Sequence, residues 1–121
     1  MNSQQLTIED TFKVMWELYP APVLLVHHNR GIVAVNKAAE NMGVPVGVKC
    51  YELAGNNTIC PKCKGNICLK KREAQRSASY YPPRKAFADT YWIPVLGEEN
   101  LFVHFFNDIS EHVRPELLQQ M

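Results

Sequence analysis

Apolar residues fall into two patterns along the chain, one with the period of a helix and the other dense enough for buried strands. In the first, Ile8, Phe12, Met15 and Tyr19 recur on one helical face, while Val14, Trp16 and Leu18 widen the apolar surface beyond a single stripe. Thr7-Ile8-Glu9-Asp10 opens this segment with an N-cap and two acids against the positive end of the helix dipole, and Pro20 closes it. The second pattern predicts strands near residues 22–28, 31–35, 76–81, 87–96 and 101–108. Asn29-Arg30-Gly31 joins the first two as a hairpin, Pro82-Pro83 separates the third from the fourth, and Gly97-Glu98-Glu99-Asn100 turns into the fifth. Between the second and third strands, Asn36 is placed to cap a short helix from Lys37 to Met42, with Gly43 at its end. A further helix is predicted from about Asn66 to Gln75.

The order is helix, two strands, a helical middle and three strands. Connections within the strand pairs are too short for parallel crossovers, so the fold class is α+β, with one five-stranded antiparallel sheet. Leu24, Val26, Phe102 and Phe106 fall on one side of it, and Val23, Leu25, Val103 and Phe105 on the other. Both faces are apolar and both must be covered. The middle helices serve one face; the N-terminal amphipathic helix, or a second copy of the chain, serves the other.

Length and charge narrow the function. With 121 residues the chain is one domain with room for a core that needs no disulfide staples. A net charge of +1 gives no general case for nucleic acid or an anionic membrane as partner. Met1-Asn2-Ser3-Gln4-Gln5 lacks the basic and apolar regions of a secretory signal, and no apolar run approaches the ~20 residues that span a bilayer. The expected location is cytoplasmic, where cysteines serve as thiols or metal ligands more often than as disulfides.

All four cysteines, Cys50, Cys60, Cys63 and Cys68, lie within one stretch. Cys60-Pro61-Lys62-Cys63 has the spacing at which two thiolates close on one ion, so the four form a candidate metal site. Zinc is the first expectation, and spacing favours it over an iron–sulfur cluster. Free thiols or a labile disulfide are the alternative. Lys64 stands where a haem-attachment motif needs histidine, and His27, His28, His104 and His112 read as strand-end or surface residues before ligands. Lys62, Lys64, Lys70, Lys71 and Arg72 read as a solvated basic face; Tyr91, Trp92, Phe102 and Phe105 read as core.

Three segments together resemble a PAS domain, the sensory module of bacterial histidine kinases, diguanylate cyclases and transcriptional regulators. They are Tyr19-Pro20-Ala21-Pro22-Val23, the run from Gly31 through Asn36 to Gly43, and Phe106-Asn107-Asp108-Ile109-Ser110-Glu111, which is similar to the Asp-Ile-Thr-Glu signature closing the last strand. Gly47 to Cys68 is similar to a cysteine-bearing variant with Cys-Tyr-Glu followed by Cys-Pro-x-Cys. The likeness spans about Leu18 to Val113. It implies an N-terminal helix over 1–19, a sensory domain over 20–113 and the start of an output helix or tail over 114–121. Pro115 falls where the family's signalling helix usually runs on, and the Asn-Cys-Arg-Phe-Leu run of flavin-binding light sensors is absent.

The reading is a non-catalytic sensor that binds a small ligand or metal, or responds to redox state, and signals through flanking helices and as a homodimer. Its implied downstream partner is a kinase, cyclase or regulator domain. A thiol–disulfide protein using Cys60 and Cys63 is the second reading, without the βαβ context such pairs normally have. A zinc-ribbon-like binding protein is the third, and the near-neutral charge speaks against it.

Overall fold

The computed structural model describes residues 6–119. Met1–Gln5, on which the reading of no secretory signal rests, and the final two residues of the 114–121 segment lie outside the described residues. The elements run α1 (Ile8–Trp16), β1 (Val23–His27), β2 (Ile32–Val35), α2 (Lys37–Asn41), α3 (Gly65–Lys71), β3 (Gln75–Tyr81), β4 (Ala86–Pro94) and β5 (Leu101–Asp108), with a 3₁₀ helix at Cys50–Ala54 between α2 and α3. The five strands form one sheet in the order β2-β1-β5-β4-β3, and every neighbouring pair is antiparallel.

Alternation along β1 and β5 sorts the core into two layers, as the strand pattern requires. On one face Leu24, Val26, Trp92 and Phe102 pack with Ile32, Val35, Ala39 and Cys68, and the segment from α2 to α3 covers them. On the other, Val23, Leu25, Val103 and Phe105 pack with Phe12, Ala34 and Leu101, and α1 contributes Ile8 and Trp16. The helix that the sequence assigns to the second face thus lies there.

The largest departures from the predicted ends are in three helical segments, each for a physical reason. Helix α1 has its N-cap at Thr7, in a capping box with Asp10, but stops at Trp16 before Pro20 is reached. The Asn36 amide takes up the carbonyls of Trp16 and Tyr19, which lets the helix end there. Helix α3 ends at Lys71 because Arg72 turns into the left-handed region at φ 55°, which releases the chain into β3 at Gln75. Beyond β5 the chain makes two 3₁₀ turns, Ser110–His112 and Pro115–Gln119, with extended Val113 between them. Pro115 restarts the helical backbone at a first-turn position, where its missing N–H costs nothing.

Asn36 is fully buried and organises the junction of α1, β1 and α2. Its Oδ1 accepts from the backbone N–H of Val23 at 2.9 Å and of Ala39 at 3.1 Å. Its Nδ2 donates to the carbonyls of Trp16, Tyr19 and Ala21 at 3.1, 3.3 and 2.9 Å. At the end of β5, the Asp108 carboxylate accepts from the N–H and hydroxyl of Ser110, and the Ser110 hydroxyl accepts from the Phe87 N–H at 2.9 Å. These bonds hold Asp108 below the usual carboxylate range and lock the last strand to β4.

Candidate functional site

Between the sheet and the α2–α3 segment lies a cavity of about 820 Å³. Its floor is the sheet face bearing Leu24, Ser77, Ser79, Thr90, Trp92, His104 and Phe106. Its lid is the 3₁₀ helix at Cys50–Ala54 and the loop through Asn56, Ile59 and Cys60-Pro61-Lys62-Cys63, with Tyr81, Pro82, Pro83 and Arg84 at one end. Strand parity explains the floor: Ser77, Ser79 and Tyr81 alternate with exposed Arg76 and Ala78, so the small hydroxyls of β3 face inward and leave volume where larger side chains would fill it. Trp92, read from the sequence as core, belongs to the core and also lines the cavity.

The cysteine segment is where the sequence led. Cys50, Cys60 and Cys63 line the cavity; Cys68 sits behind them, fully buried against the sheet. Cys60 and Cys63 bracket a turn closed by the Cys63 N–H on the Cys60 carbonyl at 3.0 Å. Cys63 Sγ accepts from the Gly65 N–H at 3.4 Å and Cys60 Sγ from Asn56 Nδ2 at 3.3 Å. All four thiols are free. Among the described residues, no three His, Cys, Asp or Glu side chains are gathered closely enough to hold one metal ion. Lys64 donates to the Arg76 carbonyl at 3.0 Å, and Lys62 lines the cavity.

Burial pushes the Cys50 thiol up to about 12; the neighbouring Cys63 and Cys60 add to the rise and the Arg30 guanidinium opposes it. Burial likewise pushes Cys68 up to about 11, with Arg72 opposing. Both are neutral thiols at neutral pH, and inert ones. Exposure therefore predicts that a small alkylating reagent such as iodoacetamide modifies Cys60 and Cys63 well before the buried Cys68, the order read by mass spectrometry of quenched samples. Labelling of Cys68 first would contradict the packing.

His104 stacks on Trp92, with ring centroids 5.2 Å apart, and its Nδ1 meets the Tyr91 carbonyl at 3.0 Å. Burial lowers its affinity for a proton, and the Arg30 charge lowers it further. The other three histidines take no part in the cavity's lining.

Arg30 is the residue that sequence reasoning missed. It is 1% exposed, in the turn between β1 and β2, at φ 76°, and its side chain runs inward over the Phe102 ring, 5.4 Å from the centroid. One terminal nitrogen donates to the His28 carbonyl and the other to Asn66 Oδ1 at 3.1 Å. Its Nε has no hydrogen-bond partner among the described residues, nor has Trp92 Nε1. In the sequence Arg30 looks like any turn residue between Asn and Gly, and nothing local marks it as buried. Gly65 makes room for it: a Cβ there would meet Arg30 Nη2 at 2.9 Å and Phe102 Cζ at 2.9 Å. Gly65→Ala is accordingly expected to cost about 1–2 kcal/mol by overpacking, measured by urea denaturation; a neutral result would show that the guanidinium moves freely.

No protein-family model matches the sequence, and comparison with curated proteins gives no match. Among solved structures, the chain is similar to the PAS domain of BvgS from Bordetella pertussis, at 19% identity and a TM-score of 0.65 over 90% of each chain. A sensory box sensor histidine kinase from Vibrio cholerae aligns at 20% identity and a TM-score of 0.60, over 78% of this chain and 82% of that one. A domain of an HTR-like protein from Haloarcula marismortui aligns at 20% identity and a TM-score of 0.55, over 74% of this chain and 98% of that one. At these identities the likeness establishes architecture, and the architecture of this chain is the PAS fold.

Proposed function

We propose that the chain is a non-catalytic sensory module of a signalling protein, which binds a small ligand in the cavity between the sheet and the α2–α3 segment. The observation that carries this is the cavity itself, about 820 Å³ in a domain of this size, walled by apolar groups and a few inward polar ones. A ligand touching both floor and lid stabilises one arrangement of the cysteine-bearing segment over others, which is the differential interaction a sensor needs. The strands beneath continue into α1 on one side and the turns after β5 on the other, so a change in the sheet reaches both ends. A downstream kinase, cyclase or regulator domain is the kind of partner this reading calls for, in keeping with the sensor histidine kinase among the similar structures.

The test uses the neutral fluorescent probe N-phenyl-1-naphthylamine. Saturable, one-to-one binding to the parent and its loss in Ser79→Trp, which fills the floor, is the expected result. A parent that takes up no probe and gains stability in Ser79→Trp would mean a closed, non-binding core.

Zinc on Cys50, Cys60, Cys63 and Cys68 is the second reading, favoured by three thiols on one wall and by sulfurs that accept hydrogen bonds. It requires the loop of residues 55–64 to draw toward Cys50 and Cys68. Elemental analysis of protein purified without chelator decides it: one zinc per chain, lost in a Cys60→Ser/Cys63→Ser variant, supports the site, and absence of metal from the parent removes it.

We also propose a homodimer built on α1. Trp16, expected at that interface, packs inward on Phe105 and Tyr19 at centroid distances of 5.5 Å. The surface left for a second copy is Val14, Met15 and Leu18, which are 75, 72 and 87% exposed. Val14→Glu/Leu18→Glu is expected to shift sedimentation from dimer to monomer without unfolding the chain; a parent that sediments as a monomer at tens of micromolar would exclude the idea.

A further inference from the structure

We propose that the ligand of this cavity is a small organic carboxylate, its anionic end held by the Nε–H of Arg30 and the Nε1–H of Trp92. The proposal rests on reading the cavity as a ligand site and goes on to name the chemical class.

Two residues of the cavity's lining each carry a buried donor without an acceptor among the described residues, Arg30 at 1% and Trp92 at 5% exposed. A buried N–H without a partner is costly, and a buried guanidinium without a carboxylate more so. Among the described residues Arg30 forms no ion pair, and the lining contains Arg30, Lys62 and Arg84 but no Asp or Glu. The protein as a whole carries a net charge of only +1, so this positive bias belongs to the cavity and not to the surface at large.

The hydrogen bonds already made select the shape of the anion. Each terminal nitrogen of Arg30 spends one N–H, on the His28 carbonyl and on Asn66. Of the five guanidinium N–H groups three are left, the Nε–H among them, and a planar carboxylate is the anion that such a fork of donors suits. A run of ring contacts links the two donors' side chains: Arg30 lies over Phe102, Phe102 meets His104 edge-on at 6.4 Å, and His104 stacks on Trp92. One buried guanidinium balances one negative charge, which favours a monocarboxylate over a phosphate dianion. The remaining walls, Leu24, Leu53, Tyr81 and Phe106, suit an apolar or aromatic tail.

The test is a titration of ¹⁵N-labelled protein, following the side-chain N–H resonances of Arg30 Nε and Trp92 Nε1. The probes are acetate, hexanoate and phenylacetate against hexanamide and phenylacetamide. Hexanoate or phenylacetate is expected to saturate the site and move both resonances, with the matched amide binding at least ~10-fold more weakly, since hydrogen bonds to an ionised partner are about twice as strong. Arg30→Gln and Trp92→Phe should each weaken the acid by roughly 10- to 100-fold and the amide by a clearly smaller factor. Trp92→Phe keeps the aromatic stack, so it carries the test if Arg30→Gln fails to fold. Equal binding of acids and amides, or entry of N-phenyl-1-naphthylamine with no carboxylate bound, would overturn the assignment while leaving the cavity a ligand site. Exclusion of every probe would remove both.

Discussion

Asn36→Ala is expected to destabilise the protein by about 3–5 kcal/mol, enough to leave a domain of this size largely or wholly unfolded at 37 °C. The magnitude follows from what the one side chain satisfies. Loss of the helix cap on α2 accounts for about 1 kcal/mol. The Val23 N–H and the carbonyls of Trp16, Tyr19 and Ala21 then lose their partner in a site that a methyl group cannot fill, at about 1–3 kcal/mol for each group left buried and unmet. Those penalties overlap, because the junction relaxes as one piece, and so the total falls short of their sum. Asn36→Ser separates the two parts: it can cap α2 but cannot reach the α1–β1 segment, and should recover about 1 kcal/mol. Urea denaturation of the three proteins gives the values. A loss below about 1.5 kcal/mol for Asn36→Ala would mean that water replaces the amide and that the junction is not held by this residue.

Asn36 also marks how far the sequence could be read. Its place before Lys37-Ala38-Ala39 announced a cap, because that role depends only on residues three positions away. Its hold on Trp16, Tyr19 and Ala21 reaches 15 to 20 positions back across the β1–β2 hairpin, and the pattern around Asn36 does not carry that. The same division holds across the fold. Strands β1, β2 and β5 were legible because apolar side chains on both faces leave few other solutions, and the turn residues bounded them. The ends of α1 and α3 were not, because a side chain from elsewhere stops the first and a left-handed Arg72 stops the second.

For the candidate site, the cysteine spacing led to one wall of the cavity, since clustering in sequence confines residues in space. It could not reveal the floor. Ser77, Ser79 and Thr90 look like ordinary strand residues until β3 and β4 are paired and their inward sides are known. Nor could it reveal Arg30, whose burial results from a small residue at Gly65, thirty-five positions on, and from the Phe102 ring beneath. Charge is the poorest guide of all here. Composition describes a nearly neutral protein, whereas the one buried cation among the described residues stands where no carboxylate lines the cavity.

Stability is expected to fall steeply as pH rises above 9, by about 2–3 kcal/mol between pH 7 and pH 10. Cys50 and Cys68 ionise near 9.0 in the unfolded chain, but burial holds them as neutral thiols to about 12 and about 11 in the fold. Between those limits the folded state binds more protons than the unfolded state, so each unit of pH costs about 1.4 kcal/mol for each thiol. Below pH 9 both states are protonated and the two thiols contribute no slope. His104 acts at the other end: its proton affinity is lowered on folding, so the unfolded chain takes up the proton first and stability declines as pH drops below about 6.5. Urea denaturation at pH 7, 9 and 10, with a phosphine reductant to prevent oxidation, measures the alkaline limb. Cys50→Ala should remove about half of it, and a Cys50→Ala/Cys68→Ala protein nearly all. If these variants and the parent lose stability in parallel above pH 9, the thiols ionise as readily in the fold as outside it, and the cysteine wall of the cavity is wetter and more mobile than its packing implies.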